Sequence, residues 1–222
     1  MAITMNYGKQ LTKYSRAVQY LEKLFDLCNE YWFDNELETP VITIQSTPRA
    51  YGHYTLFDAW EVNGESRREI NIGAGTLERP IENICCTLLH EMVHEYNNEI
   101  ANISDVSNNG VYHNKYFKQE AERRGLIVTR SEKYGWSCTE PSEALLDFVL
   151  EYNLQDIKIN RNEHPNYIKP TGGASTGTNY GGASTRKGHS IRYVCPQCKT
   201  IVRATKHVNI GCLDCMIPLV ES

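Results

Sequence analysis

Two sets of residues in this chain have the types and spacing of metal ligands. The first is His90–Glu91–Met92–Val93–His94, the HExxH pattern. Side chains four apart lie one above the other on a helix face, so both imidazoles can reach one metal ion. Glu91 stands one residue further round, placed to contact a water on the metal without ligating the metal itself. Zinc lowers the pKa of such a water toward about 7, and a glutamate so placed takes its proton as the water attacks a carbonyl. The second set is Cys195–Pro196–Gln197–Cys198 and, thirteen residues on, Cys212–Leu213–Asp214–Cys215. Four thiolates in two such knuckles close a tetrahedral zinc site with no open position, which makes that site structural.

A catalytic zinc needs a third protein ligand. The metzincin pattern requires Gly at 97 and His at 100; the chain has Asn97 and Ile100, which excludes that class. His113, nineteen residues past His94 and expected at the start of a helix, is the best candidate, with Glu120 and Glu122 as alternatives. The positive end of a helix would disfavour protonation of His113 and keep it a ligand. His53, His164, His189 and His207 read as ordinary polar residues. Cys86 lies four residues before His90, near the same helical stripe, but with Cys28, Cys85 and Cys138 it reads as a buried core thiol.

These ligands need elements to hold them. Tyr14 to Asn35 has apolar residues at three-and-four spacing and predicts an amphipathic helix. Val41–Ile44, Tyr51–Phe57 and Glu69–Ile72 predict three short strands in a small antiparallel sheet, with a polar loop around Asn63–Ser66. Glu69–Ile72 is expected as an exposed edge, able to pair with an extended substrate backbone. The HExxH helix should begin near Pro80, since proline is tolerated in a first helical turn, and run through Tyr96. A third helix is expected over about His113 to Arg124, stopped by Gly125, and a fourth from Thr139–Glu140–Pro141 through Tyr152.

Composition supports two modules. The chain has 222 residues, 41% of them hydrophobic and 23% charged, which excludes collagen-like and wholly disordered classes. No run approaches the roughly 18 apolar residues of a membrane span, and the N-terminus lacks the apolar stretch of a secretory signal. A cytosolic, reducing compartment is the expectation, where eight cysteines serve as thiols or ligands. Residues 1–157 carry 14 Lys and Arg against 24 Asp and Glu, a net of −10; residues 158–222 carry 9 against 3, a net of +6. The expected organisation is a catalytic domain at 1–157, a Gly/Ser/Thr-rich linker at 158–190 and a four-cysteine zinc ribbon at 191–222. Arg186, Lys187, Arg192, Lys199, Arg203 and Lys206, with Tyr193 and His207 among them, suit phosphate contact and base stacking. Four thiolates on one zinc carry a net −2, which reduces the tail's charge to about +4.

Several segments together resemble the SprT-like metallopeptidases, which include bacterial SprT proteins and eukaryotic Spartan. They are LLHEMVH, GVYHNKYFKQEAERRGL and YGWSC, with YGHYT and EINI upstream. The likeness covers roughly Tyr14 to Tyr152. It implies an α+β zincin domain with zinc ligands His90, His94 and His113, Glu91 as general base, and proteolysis linked to DNA, including proteins crosslinked to it. Some members carry a similar ribbon; Spartan's ubiquitin- and clamp-binding extensions are not recognisable here. The resulting expectation is a zinc metallopeptidase with one catalytic and one structural zinc, a protein substrate, DNA bound through the ribbon and no membrane. The competing class is a non-enzymatic zinc adaptor or nucleic-acid-associated regulator that keeps the fold. The intact Glu91 argues against it.

Overall fold

The computed structural model describes residues 11–108, 110–162, 191–204 and 206–221. Most of the expected linker, with His164, His189, Arg186 and Lys187, lies outside the described residues. The chain divides into two compact units, Met1–Thr185 and Arg186–Ser222. Lys158, Asn160 and Arg161, assigned to the linker by composition, are bonded within the first unit: the Lys158 N–H donates to the Leu11 carbonyl at 2.9 Å, the Arg161 N–H to Ala74 at 3.0 Å, and Asn160 Oδ1 accepts from the Leu77 N–H at 2.9 Å.

The first unit is mixed α and β. Helix α1 (Tyr14–Phe33) buries Ala17, Leu21, Leu24, Phe25 and Cys28 on one stripe and ends at Asp34, whose φ of 52° is left-handed. The buried Asn29 side chain clasps the returning loop through both the N–H and the carbonyl of Leu37. Strands β1 (Val41–Gln45) and β2 (Gly52–Tyr54) follow, then a hairpin of β3 (Trp60–Val62) and β4 (Glu65–Arg67), then β5 (Glu69–Gly73). The main sheet has the order β1-β5-β2.

This sheet corrects two expectations. β1 runs parallel to β5, and only β2 is antiparallel to it, so the sheet is mixed. The alternation of Ile42, Ile44, Ile70 and Ile72 fixes which face enters the core but says nothing about strand direction. β5 is central and every one of its residues is buried, so the edge next to the second helix is β2.

Helix α2 (Ile81–Glu95) starts after Pro80 and buries every residue except Asn83. A helix apolar on nearly all sides belongs at the centre of a core, and α2 touches α1, α3, α4 and strands from both main sheets. It continues as a π-helical turn, Tyr96–Ile100. Beyond it, β6 (Val106–Ser107), β7 (Tyr112–His113), α3 (Lys115–Arg123), β8 (Leu126–Ser131), β9 (Gly135–Pro141) and α4 (Glu143–Glu151) complete the unit. The second sheet has the order β6-β7-β9-β8. Two helix starts fall later than expected. Asn114 caps α3 through its side chain, leaving His113 on β7, and Ser142 caps α4. Residues 139–141, expected to open a helix, instead end β9.

The second unit holds β10 (Ile191–Val194), β11 (Ile201–Ala204), β12 (Gly211–Cys212), β13 (Ile217–Pro218) and β14 (Val220–Glu221). Its buried apolar centre is Tyr193, Cys195, Cys212 and Leu219.

Candidate metal centres

His90 and His94 face the same side of α2, and β7 brings His113 to meet them. His113 Nε2 lies 3.1 Å from His90 Nε2 and 3.1 Å from His94 Nε2. One proton on His113 Nε2 cannot serve both contacts, and facing lone pairs repel, whereas a cation among the three nitrogens satisfies all of them. Nitrogens 2.0–2.1 Å from a tetrahedral zinc stand about 3.3 Å apart, close to the spacing found here. The three residues therefore fit a metal ion.

The far side of each ligand on α2 is also held. His94 Nδ1 donates to Asp105 Oδ2 at 2.8 Å, and the same oxygen accepts from Asn97 Nδ2 at 2.9 Å. A carboxylate acceptor at Nδ1 leaves the Nε2 lone pair free for a metal. His90 Nδ1 lies 3.1 Å from Thr139 Oγ1 on β9. The π-helical turn carries Asn97 to Asp105, a use of that irregularity at a functional site that has many parallels. Phe117 of α3 contacts all three imidazoles, with centroids 4.4 Å from His90 and 4.7 Å from His94 and His113.

His113 owes its place to Gly135. The His113 N–H donates to the Tyr134 carbonyl at 2.9 Å, and β7 pairs with β9 at His113 and Gly135. Gly135 has φ of 68°, and a Cβ there would collide with the His113 carbonyl oxygen. Burial, then the nearby His94, hold the His113 imidazole well below its usual pKa, which keeps it neutral and able to ligate. Desolvation on β7, rather than the helix end expected from sequence, is the cause.

Glu91 is fully buried beneath β2. A Cβ on Gly52 would lie 3.1 Å from Glu91 Oε1 and 2.8 Å from the Asn71 carbonyl oxygen, so only glycine lets the strand pass this close. Neither carboxylate oxygen of Glu91 has a hydrogen-bond partner. Burial, then the charge of Asp105, push this carboxyl well above the usual range; the Tyr54 backbone N–H pulls it down without reaching hydrogen-bond geometry.

Other candidates lie elsewhere. Glu120 pairs with Arg123 and Arg124, and Glu122 with Lys118 at 3.6 Å, so neither joins the histidines. Burial pushes the Cys86 thiol up to about 12, the behaviour of an inert core thiol. Asp105, Thr139, Phe117, Gly52 and Gly135 escape sequence reading because their roles arise from contacts between elements. The YGW segment around Gly135 carried the one available signal, a glycine between aromatics in a strand.

In the second unit the four cysteine sulfurs lie within 4.8 Å of one another, with Cys198 Sγ 3.6 Å from Cys212 Sγ. Sulfurs about 2.3 Å from a tetrahedral zinc stand about 3.8 Å apart, so this set also fits a metal. Each knuckle is followed by a left-handed residue, Lys199 (φ 64°) and Met216 (φ 54°), which turns the chain after its second cysteine. The Thr200 hydroxyl, 3.0 Å from Cys198 Sγ, is the first cause pushing that thiol down to about 6.

The ribbon surface corrects one expectation. Tyr193 is 5% exposed and its hydroxyl accepts from the Val208 N–H at 3.1 Å, so its ring is core and does not offer a stacking face. Arg192 and Arg203 stand directly opposite each other on β10 and β11. His207 is exposed and sits 3.2 Å from Glu221. Among the described residues no helix is long and apolar enough to cross a membrane. No protein-family model, curated protein or solved structure matches the chain.

Proposed function

We propose that the protein is a zinc-dependent metallopeptidase with a SprT-like zincin domain and a structural zinc ribbon. The observation that carries this reading is the convergence of three Nε2 atoms on one point, with a buried, unpartnered carboxyl following the first ligand in the chain. A pure scaffold has no use for that carboxyl, which is costly to bury. His90, His94 and His113 would hold the zinc, which would supply a Lewis acid toward a water and an amide carbonyl. Glu91 takes the proton of the attacking water and passes it to the amine as the C–N bond breaks. Asp105 and Thr139 keep the imidazoles in register throughout. An extended peptide can align along β2, where the bonds from Gly73 to Tyr51 and from Thr55 to Glu69 leave the backbone groups of Gly52 and Tyr54 facing away from β5.

DNA is the proposed context for proteolysis. The basic set Arg192, Lys199, Arg203 and Lys206 on the ribbon supports it, since such a set suits contact with phosphates. Glu91→Gln should reduce peptide cleavage roughly 10²–10⁴-fold while two metal ions per chain remain; unchanged cleavage would sink the mechanism. For the ribbon, DNA binding by the full chain should exceed that of a chain ending at Asn162 and weaken steeply with salt. Equal binding by both removes the ribbon's DNA role.

A further inference from the structure

One end of the β1-β5-β2 sheet, beside the C-terminal end of the α2 run, encloses a cavity of about 260 Å³. Sites for drug-sized ligands are typically about 300–1,000 Å³, so this one has room for a side chain rather than a cofactor. Its charged lining is Glu38, Asp58, Glu95 and Glu99 against Arg67 and Arg68. Both arginines are already engaged. Arg68 pairs with Glu99 at 2.7 Å and Asp58 at 3.7 Å, and Arg67 pairs with Glu65 and with Glu38 at 3.4 Å. Glu95 differs. It is 5% exposed, and its Oε2 has no hydrogen-bond partner. A carboxyl oxygen left unpaired and out of water is costly, and a cationic partner would satisfy it. Leu37, Pro40 and Ile100 provide apolar wall for a methylene stem.

The cavity is tied to the proposed reaction through two elements. Glu95 is one helical turn beyond Glu91, about 6 Å along α2. Tyr54 belongs to β2, an outer strand of its sheet, lines the cavity, and donates from its hydroxyl to Glu99 Oε1 at 3.4 Å. A peptide extended along β2 advances about 3.3 Å per residue, so a side chain about two residues from the scissile bond would reach the cavity.

We propose that this cavity is a substrate subsite for the cationic side chain of an arginine or lysine, with Glu95 as the carboxylate that receives it. The proposal rests on the peptidase reading, and the test keeps the two apart. A neutral decapeptide is prepared with one arginine at each position in turn, and with glutamine at the same position as control. Binding is measured by fluorescence anisotropy to the zinc-loaded full chain carrying Glu91→Gln; cleavage is measured with the unsubstituted chain. The expected result is one favoured position, at which arginine binds roughly tenfold to a hundredfold more tightly than glutamine. Adding Glu95→Gln should abolish that preference while the glutamine peptides bind as before. Equal binding of arginine and glutamine peptides overturns the subsite, as does a preference that survives Glu95→Gln. If Glu95→Gln does not fold, the peptide series on the Glu91→Gln chain decides alone. Cleavage without any basic preference removes the subsite and leaves the peptidase; a Glu95-dependent preference without cleavage of any peptide removes the peptidase and keeps the subsite.

Discussion

The two candidate metal centres are built by opposite logic. The histidine centre sits inside a unit whose core is already large: α2 is buried at nearly every residue, and helices and strands from the whole unit pack round it. Its ligands come from two elements and are aimed by Asp105, Thr139 and Phe117. The cysteine centre has no such body. Its unit buries Tyr193, Cys195, Cys212 and Leu219, and two of these four are themselves ligands. One centre sits in a unit with a large apolar core of its own; the other supplies half of the buried core described in its unit.

Metal removal should separate them most sharply. Below about 40 residues a domain usually needs metal, disulfide or partner to fold. Structural zinc in small modules contributes on the order of 10 kcal/mol of apparent folding free energy. A strong chelator should therefore unfold Arg186–Ser222 while the first unit keeps its helices. Limited proteolysis with mass mapping would show cuts across 191–221 and protection from α1 to α4. A ribbon that stays resistant without metal breaks the comparison.

Gly135→Ala should act on one centre alone. A side chain at φ of 68° costs about 1–3 kcal/mol, and its Cβ would push against the His113 carbonyl. The displaced β7 should release the first metal and leave the ribbon's, so elemental analysis should fall from two ions per chain to one. Retention of both would mean that His113 does not depend on β9 for its place.

What the sequence made legible follows the same divide. HExxH and the two CxxC knuckles are local patterns, readable because one helix or one turn sets the ligand spacing. His113 could be nominated but the supports of the centre could not, because Asp105 behind His94 and Gly135 against His113 matter only once a loop and a strand have folded back. Sheet direction was invisible for a related reason. Alternating Ile42, Ile44, Ile70 and Ile72 reads the same in either direction. The β8–β9 hairpin was missed because Ile127 is half exposed and the polar run from Thr129 to Lys133, across the end of β8 and into the turn, breaks its apolar signal. Tyr193 shows the reverse error: an aromatic among basic residues suggested a stacking face, whereas a module this small spends its tyrosine on the core.

Asp105→Asn tests how far the histidine centre relies on its surroundings. Losing a carboxylate behind a ligating histidine typically costs 10–100-fold in metal affinity. Competition with a chromophoric chelator should show that loss at the histidine site and none at the cysteine site. Equal retention by both would make the 2.8 Å bond from His94 to Asp105 incidental.

The smallest expected effect concerns what only the larger unit can tolerate. Glu95 is held well above its usual pKa by burial first and by Glu99 second; Arg68 opposes this and Glu38 adds to it. Its folded pKa therefore lies above the unfolded value of about 4.3. Below that value both states hold the proton and nothing is lost. As pH rises, the unfolded chain releases the proton before the folded one, so stability falls until the folded pKa is passed. Glu95→Gln removes this penalty. Its melting temperature should exceed that of the unsubstituted chain at pH 7, and the gain should fade as pH approaches 4.5. Peptide-free chain is the right material, because a bound cation would favour the ionised form and hide the effect. A gain that is the same at both pH values would mean that the substitution improves packing, and that the carboxyl is not the burden its buried, unpaired Oε2 makes it.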